Sequence, residues 1–324
     1  MKFKATAIAH PNIAFVKYWG KKDEVLRIPL NNSISMNLGN LLTKTTVEFK
    51  DFNDFNGDII IINKEVAEAT AKERVIKFIN RFRNLANITL KCKVVSENNF
   101  PMSSGIASSA SGFAALTVAC SSALNLNLSE KGLSILARLG SGSACRSIPD
   151  GFTEWLTGTC NDDSYSVSIA NSEYFEIYDL IVMVKKEKKE VSSTAGMEKF
   201  NPYFYARLAE VNENLNFVRK GIIEKNFKLL GTYAEKDCIS MHTVMMNSGL
   251  FYWEPETLKI MKEVWNLRKN GIECYFTIDA GPNVHILCLH AHKEKVKERI
   301  SELNFEILES KPGGKARVIK EDLF

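Results

Sequence analysis

The chain has 324 residues, of which 45% are hydrophobic and 25% are charged. These fractions are close to globular averages and exclude a collagen-like or low-complexity chain. The length accommodates about two ordinary domains. The chain has 42 basic and 38 acidic residues. This excess of positive charge is too small to indicate a protein that coats nucleic acid, but it is compatible with a site for small acidic molecules.

The cysteines and the N-terminus indicate a soluble, cytoplasmic protein. The seven cysteines include no Cys-x-x-Cys pair, so a zinc knuckle or thioredoxin-like motif has no support. We expect buried thiols in a reducing compartment, although the sequence leaves a single disulfide open. No apolar run reaches the roughly 18 residues that span a bilayer. His10, Pro11 and Asn12 interrupt the short apolar stretch that opens the chain.

The first hundred residues are predicted to be rich in strands. LTKTTVEFKDF (42–52) alternates and is rich in Thr, Val and Phe, which predicts a strand, as does LKCKVVSENNF (90–100). In FNGDIIIINKEV (55–66), an Asn-Gly pair before an isoleucine run predicts a hairpin. Apolar residues at helical spacing predict a helix over 72–85.

The remainder of the chain mixes helices with strands. A Gly/Ser/Ala-rich segment over 101–126 is predicted to become a helix, and a second helix over 129–139 is ended by GSGS at 140–143. A strand is predicted over 178–186, and the charge run at 185–190 predicts a solvated loop. Near that loop we place a boundary between domains at 1–185 and 186–324. Helices are then predicted over 199–219, 222–246, 254–270 and 293–303, with paired strands at 273–281 and 284–290.

The segment 101–112 is the strongest candidate site. A helix start binds anions through free N–H groups and the positive end of its dipole. Gly105 would let the backbone approach a phosphate, and several serines add hydroxyl donors. No Gly-Lys-Ser/Thr follows, so this is not a Walker A loop. The alternative is a seam of small residues that packs against another helix.

Three other segments carry candidate polar residues. GSGSACRS (140–147) offers Arg146 as a bidentate donor, or is only a helix C-cap glycine and a loop. HPNIAFVKYWGKKD (10–23) brings Lys17, Tyr18 and Lys21 close together, or is a strand whose lysines reach past it to solvent. DAGPN (279–283) places Asp279 after an apolar strand, as a general base or as a turn-initiating aspartate.

Two other kinds of chemistry lack a motif. His290 and His292 would share one face of a strand, but no third ligand is near and no His-Glu-x-x-His motif occurs, so we reject a histidine metal site. The sequence contains no Gly-x-Ser-x-Gly motif, so a Ser-His-Asp hydrolase is also unsupported.

Four segments together resemble one family. In order and spacing, the chain resembles the diphosphomevalonate decarboxylases of the GHMP small-molecule kinase superfamily. VSSTAGM (191–197) and MHTVMMNS (241–248) extend the resemblance, which runs from end to end. The four segments are PNIAFVKYWGK (11–21), NNFPMSSGIASSASGFAAL (98–116), GSGSACRS (140–147) and FTIDAGPN (276–283).

The resemblance implies a fold and a reaction. The fold is a two-domain α+β structure with the active site in the cleft between an N-terminal domain, which carries the phosphate loop, and a C-terminal domain. ATP would phosphorylate the 3-hydroxyl of mevalonate 5-diphosphate, and the 3-phosphate would leave as the carboxylate departs as carbon dioxide. The products are isopentenyl diphosphate, ADP and phosphate. ATP and Mg²⁺ are the implied cofactors, and a cytoplasmic homodimer in the mevalonate pathway of isoprenoid biosynthesis is the implied form.

The resemblance also implies residue roles. Asp279 would act on the hydroxyl, Lys17 would hold Asp279 ionised, and Arg146 would hold the substrate carboxylate. Ser108 would also lie at the metal. The implied substrate-binding residues are Tyr18, Lys21, Arg74, Ser141, Ser143 and Ser192. The implied nucleotide-binding residues are Asn12, Ser103, Ser104, Gly105, Ile106, Ala107, Ser108 and Ser109.

The chain departs from the family pattern in three places, and three rival functions remain open. Ile148-Pro149-Asp150-Gly151 replaces a common Phe-Gly-Gly, Thr194 stands where some members have Arg, and the phosphate loop reads Met-Ser-Ser-Gly.

The rivals are a kinase that only phosphorylates, a decarboxylase of mevalonate 5-phosphate, and a non-catalytic metabolite-binding protein. The joint presence of Lys17, Arg146 and Asp279 favours the decarboxylase.

Overall fold

The structure is a computed structural model that describes residues 3–51, 57–100, 108–185, 196–197 and 201–324. These residues form sixteen strands and seven α-helices. No described helix combines the length and the apolar character needed to cross a membrane. Mixed helices and largely antiparallel sheets confirm the predicted α+β class.

The strands and helices have the following bounds. The strands are β1 (Lys4–Ala9), β2 (Asn12–Val16), β3 (Lys21–Asp23), β4 (Ile28–Pro29), β5 (Ser33–Asn37), β6 (Thr43–Lys50), β7 (Ile59–Ile62), β8 (Glu65–Val66), β9 (Lys91–Asn98), β10 (Phe152–Trp155), β11 (Ser166–Ala170), β12 (Tyr178–Met183), β13 (Cys274–Thr277), β14 (Val284–Cys288), β15 (Glu306–Ser310) and β16 (Arg317–Ile319). The helices are α1 (Ala69–Ala86), α2 (Ser108–Ala123), α3 (Glu130–Gly140), α4 (Pro202–Ile223), α5 (Phe227–Asn247), α6 (Pro255–Lys269) and α7 (His290–Ser301). A 3₁₀ helix covers Gly142–Ser147.

Three larger sheets and a two-stranded hairpin of β3 and β4 organise the described residues. The first has the order β16-β1-β6-β9-β7-β8 and is antiparallel except for the β7–β9 pair. The second, β11-β10-β5-β2, and the third, β13-β14-β12-β15, are antiparallel. β12 precedes residue 185 and pairs with β14 and β15, whereas β16 at the chain end pairs with β1. The division of the chain into domains at residue 185 stays a prediction.

Three of the four hydrophobic cores of the described residues join these layers. In the first, α1, α2 and α3 cover one face of the first sheet, where the rings of Phe78 and Phe113 meet edge to face at 5.0 Å. The second lies among the second sheet, α4, α5 and one face of the third sheet. The third lies between the other face of the third sheet and α6 and α7. Ile181 faces the second core while Leu180 and Val182 face the third, which explains the continuous apolar run in β12.

Two local predictions were wrong. The hairpin at 55–66 exists, but its turn is Asn63-Lys64, with φ of 49° and 70°, and not the earlier Asn-Gly. Two consecutive positive φ values are what a two-residue type I′ turn requires. His290 and His292 lie in the first turn of α7 instead of sharing a strand face.

All seven cysteines are free, so the structure contains no disulfide among them.

Candidate active site

An ion pair joins two distant parts of the chain. Lys17 follows β2 and Asp279 follows β13, and Lys17 Nζ lies 2.7 Å from Asp279 Oδ1. Lys17 Nζ also donates to Ala14 O at 2.7 Å. The Lys17 side chain is 1% exposed and that of Asp279 is 29% exposed, so the carboxylate faces the space where a reactant would lie.

Charge, more than burial, sets the protonation of Asp279. Burial alone raises the pKa of this carboxyl, but the charge and hydrogen bond of Lys17, with the charges of His285 and Arg146, hold its pKa below the ordinary value. Asp279 is therefore ionised at neutral pH. It can accept a hydrogen bond or a proton from a hydroxyl group.

Arg146 is a buried cation surrounded by neutral acceptors. It lies on the 3₁₀ helix and is 3% exposed. Its Nη1 donates to Ser33 Oγ at 2.7 Å, Nε to Ser35 Oγ at 3.0 Å, and Nη2 to Asn12 Oδ1 at 3.1 Å. Since each terminal nitrogen carries two hydrogens, one hydrogen on each is left for a further acceptor. The guanidinium can therefore bind a carboxylate through both terminal nitrogens.

Asn12 fixes the segment that carries Arg146. Its Nδ2 donates to Ser143 O at 3.1 Å and to Ser147 Oγ at 2.8 Å, while its Oδ1 accepts from Arg146. Both ends of the amide are thus engaged within the protein. The predicted contact of Asn12 with nucleotide stays a prediction.

The glycines at 140 and 142 give room to aromatic rings. A Cβ on Gly140 would lie 2.3 Å from Phe113 Cδ1, and one on Gly142 would lie 2.9 Å from Tyr18 Cε1. Neither glycine has a positive φ, so the helix C-cap interpretation was wrong. The close packing places Ser141 Oγ 3.3 Å from Ser109 Oγ at the start of α2. The predicted substrate and nucleotide segments therefore meet.

Two arginines lie beside this meeting point. Arg74 Nη2 donates to Gly140 O at 2.9 Å and Arg27 Nε to Leu139 O at 3.2 Å. Burial and the neighbouring charge of Arg27 lower the pKa of Arg74 to about 10, which leaves it protonated at neutral pH. Within the described ranges, neither guanidinium forms an ion pair. Two adjacent cations of this kind are suited to bind a multiply charged anion.

The remaining predicted residues differ in how far the structure places them. Lys21 pairs with Glu24, and its side chain is 2% exposed, so a phosphate there would compete with a carboxylate. Ser108 and Ser109 begin α2, where the helix dipole favours an anion. Ser103, Ser104, Gly105, Ile106, Ala107, Ser192 and Thr194 lie outside the described residues.

The departure at 148–151 forms an ordered turn. Gly151 has a φ of 67° and its N–H donates to Gly313 O at 3.0 Å. Asn37 donates from its main chain to Gly151 O at 3.0 Å and from Nδ2 to Pro149 O at 2.8 Å. The turn is thus held by the second sheet, directly after the segment that carries Arg146.

A magnesium site need not be built by the protein alone. No cluster of three or more His, Cys, Asp or Glu side chains is arranged around a common point in the described part of the chain. Mg²⁺ in phosphoryl-transfer enzymes is commonly bound by one or two protein oxygens together with substrate phosphates. The hydroxyl groups at the start of α2, where Ser108 was predicted to lie at the metal, fit that donor set.

Sequence reasoning missed a buried ion pair and a buried histidine–carboxylate contact near the site. Arg207 Nη1 lies 3.0 Å from Asp237 Oδ1, and His285 Nδ1 lies 2.7 Å from Asp179 Oδ2. His285 and Asp179 stand inside apolar strands, which is the signal that was available. Ser33 and Ser35 were also missed, although their alternation with apolar residues predicts a polar strand face.

Two family models match consecutive parts of the chain. The Diphosphomevalonate decarboxylase-like N-terminal domain matches residues 9–166. The Mevalonate 5-diphosphate decarboxylase C-terminal domain matches residues 179–313.

Individual relatives match almost the whole chain. A phosphomevalonate decarboxylase of Haloferax volcanii is 32% identical over 323 residues, which cover 98% of each chain. A diphosphomevalonate decarboxylase of Candida albicans is 36% identical over 316 residues, which cover 91% of this chain and 86% of the relative.

Solved structures match the fold. A mevalonate diphosphate decarboxylase of Staphylococcus aureus superposes with a TM-score of 0.93 at 36% identity, over 99% of each chain. A structure of MDDEF in complex with MVAPP, AMPPCP and magnesium superposes with a TM-score of 0.92 at 36% identity, over 98% of this chain and 99% of that one.

Proposed function

The chain belongs to the diphosphomevalonate decarboxylase family, and we propose that Lys17, Arg146 and Asp279 carry the family reaction in it. That reaction is the ATP-dependent decarboxylation of mevalonate 5-diphosphate to isopentenyl diphosphate, with release of ADP, phosphate and carbon dioxide. The observation that carries the assignment is the Lys17–Asp279 contact of 2.7 Å, with the charge of Arg146 close enough to lower the pKa of Asp279.

In the first step, Asp279 orients the 3-hydroxyl of the substrate for attack on the γ-phosphoryl group. The new oxygen–phosphorus bond replaces the bond to ADP, which leaves with its electrons, and Asp279 accepts the hydroxyl proton as the transfer completes. A carboxylate with a lowered pKa is a weak base. Phosphoryl transfer proceeds through a loose transition state in which the nucleophile needs little prior deprotonation, so orientation contributes most. Lys17 keeps Asp279 ionised and opposes the negative charge of the transferring group.

In the second step, Arg146 holds the carboxylate while the 3-phosphate leaves. The electron pair of the carboxylate–carbon bond becomes the new carbon–carbon double bond, and phosphate takes the electrons of the carbon–oxygen bond. An interaction accelerates this step only if it is stronger in the transition state than before it. The neutral acceptors Ser33, Ser35 and Asn12 fix the guanidinium without a competing carboxylate.

Nucleotide binding is assigned to the start of α2 and the loop before it. The magnesium and AMPPCP in the MDDEF structure support ATP and Mg²⁺ as cofactors. Mg²⁺, when bound, neutralises charge on the nucleotide phosphates. Ser108 and Ser109 offer hydroxyl groups at the positive end of the α2 dipole, and Ser109 is hydrogen-bonded to Ser141.

Arg27 and Arg74 support the diphosphate over the monophosphate as the substrate. A diphosphate carries more negative charge than a monophosphate, and two adjacent guanidinium groups match it better. Tyr18, Lys21, Ser141 and Ser143 would complete this end of the site. The Haloferax volcanii relative favours mevalonate 5-phosphate as the second candidate.

A homodimer in the cytoplasm and a division into domains near residue 185 are parts of the same proposal. Their support is the resemblance to this family, whose two models match most of the chain. Light scattering of the purified protein tests the dimer. Limited proteolysis near residues 185–190 tests the division.

The function is tested by supplying MgATP with mevalonate 5-diphosphate, mevalonate 5-phosphate or mevalonate. We expect the highest kcat/KM with the diphosphate. Asp279→Asn should lower kcat by about three orders of magnitude while ATP still binds. Asp163→Asn, which alters a half-buried loop carboxylate bonded to Thr159 and Cys160, is the control and should keep kcat. An Asp279→Asn variant within about tenfold of wild type would overturn the assigned role.

A further inference from the structure

We propose that the buried Arg207–Asp237 ion pair positions Lys17 for its work on Asp279 by holding the Lys17 main chain. The inference rests on the roles proposed above for Lys17 and Asp279. Arg207 lies on α4 and Asp237 on α5, and their side chains are 1% and 0% exposed. Both side chains are buried away from solvent, so they act on the reaction only through the residues that they hold, of which Lys17 is bonded to both.

The ion pair contacts Lys17 on both sides of its Cα atom. The Lys17 N–H donates to Asp237 Oδ2 at 2.7 Å. The Lys17 C=O accepts from Arg207 Nη2 at 3.1 Å and from Asn31 Nδ2 at 3.0 Å. Because both adjoining peptide groups are fixed, only the side-chain torsions of Lys17 decide where Nζ lies. The bond from Nζ to Ala14 O then limits those torsions.

The pair is rigid because its polar atoms are shared among several partners. Asp237 Oδ1 accepts from Arg207 Nη1 at 3.0 Å and from Asn214 Nδ2 at 3.3 Å. Asp237 Oδ2 accepts from Arg207 Nη2 at 3.1 Å in addition to the Lys17 N–H. A fork of this kind in a buried setting has little freedom to rearrange.

The same helix also holds the other partner of the catalytic ion pair. Cys238 lies next to Asp237 on α5, and its Sγ is 3.1 Å from Ile278 N and 3.5 Å from Ile278 O. His242 Nε2 is 3.3 Å from Ile278 O. Burial lowers the pKa of His242 to about 3, so the ring is neutral. Since a carbonyl only accepts, Nε2 carries the proton. Helix α5 thus fixes both the Lys17 main chain and the residue before Asp279.

A matched control lies two residues earlier on the same helix. Glu235 accepts from Arg268 Nη1 and Nη2 at 2.7 and 2.8 Å and from the main-chain N–H of Phe276 at 3.3 Å. It is therefore also a carboxylate of α5 that joins an arginine of another helix to a main-chain N–H. It does not contact Lys17.

The experiment compares Asp237→Asn with Glu235→Gln in the full-length enzyme, below the unfolding temperature of both. We expect Asp237→Asn to lower kcat by about ten- to hundredfold while KM for ATP and for mevalonate 5-diphosphate stays within about threefold. A looser Lys17 contact leaves Asp279 with less opposing charge, because Lys17 contributes most to the lowering of its pKa, ahead of His285 and Arg146. The acid limb of the kcat–pH profile should therefore move to higher pH. Glu235→Gln should lose stability but keep kcat within about threefold and leave the acid limb in place.

Two further variants keep the outcomes distinct. If Asp237→Asn does not yield folded protein, Arg207→Lys keeps the charge and loses the second donor nitrogen, and the same fall in kcat is expected. An unchanged kcat and acid limb in the folded variant, or equal changes in the Glu235→Gln control, would overturn the positioning role. Asp279→Asn is assayed in parallel, since an active Asp279→Asn enzyme would overturn the proposed function itself.

Discussion

Lys17 and Asp279 stand 262 positions apart in the chain, and Lys17 Nζ contacts Asp279 Oδ1 at 2.7 Å. Lys17 is almost completely buried, and a buried ammonium group needs an opposite charge or strong acceptors to replace its lost hydration. Asp279 and Ala14 O supply both. The pair therefore couples the protonation of Asp279 to a lysine from the opposite end of the sequence.

The first prediction concerns the pH dependence of this pair. The native pKa of Asp279 lies below its ordinary value, so the ionised form persists above that pKa and is lost as the pH falls through it. Lys17→Met removes the main charge that lowers this pKa. The acid limb of kcat/KM should move to higher pH, and kcat should fall by about 100-fold. Lys22→Met, an exposed lysine on β3, is the control. An acid limb that stays in place would contradict the account.

The second prediction concerns the fork of Arg146. Arg146→Lys keeps the charge but cannot bind a carboxylate through two parallel N–H groups, so kcat should fall by about 100-fold. Arg138→Lys is a matched control, because Arg138 is also buried and, among the described residues, donates to the neutral oxygens of Leu26 and of residues 161 and 164. It should reduce the thermal stability and leave kcat unchanged. Equal kcat in the two variants would exclude the fork.

The third prediction concerns the substrate phosphates. Arg27→Gln removes one of the two adjacent guanidinium groups, so KM for mevalonate 5-diphosphate should rise by about tenfold and KM for ATP should not change. The preference for the diphosphate over the monophosphate should fall in parallel. Lys22→Gln removes one positive charge from the β3–β4 hairpin, which also carries Arg27, and should have little effect. An unchanged preference in Arg27→Gln would place the terminal phosphate elsewhere.

The fourth prediction concerns stability. Gly140→Ala would put a Cβ 2.3 Å from Phe113 Cδ1 and 2.9 Å from Phe78 Cε2, so the rings must move. We expect a loss of about 1–3 kcal/mol in the free energy of unfolding. Gly112→Ala on α2 meets no atom within 4 Å and should be neutral or stabilising by up to about 1 kcal/mol. Chemical denaturation measures both variants. Equal stability would show that Gly140 is not required for packing.

The sequence predicted much of the secondary structure because periodicity and turn residues act locally. The helix predicted over 72–85 is α1, and the predicted paired strands are β13 and β14. The turn of the 55–66 hairpin was misplaced because Asn-Gly is the commoner turn pair, and Asn63-Lys64 adopts positive φ in its place. The pairing of β16 with β1 brings together two segments that are far apart in the sequence, so no local sequence pattern predicts it.

The sequence predicted the site residues that stand in motifs. It did not predict the residues whose role depends on being buried in the fold. Arg146 and Asp279 stand in glycine-punctuated segments that resemble a known family. Arg207 and Asp237 stand in ordinary amphipathic helices, where charged residues usually face solvent. Only the fold shows that both side chains are buried against the Lys17 main chain. Arg27 was missed because only the fold places it beside Arg74, where both guanidinium groups donate to main-chain oxygens at the end of α3.

The most direct test of the central claim measures ADP, inorganic phosphate and carbon dioxide in one reaction of the wild-type enzyme with MgATP and mevalonate 5-diphosphate. If Lys17, Arg146 and Asp279 form one centre for phosphoryl transfer and decarboxylation, the three products should appear in equal amounts at all times. Formation of ADP without carbon dioxide, with accumulation of a 3-phosphorylated intermediate, would show that the site only phosphorylates and would contradict the account.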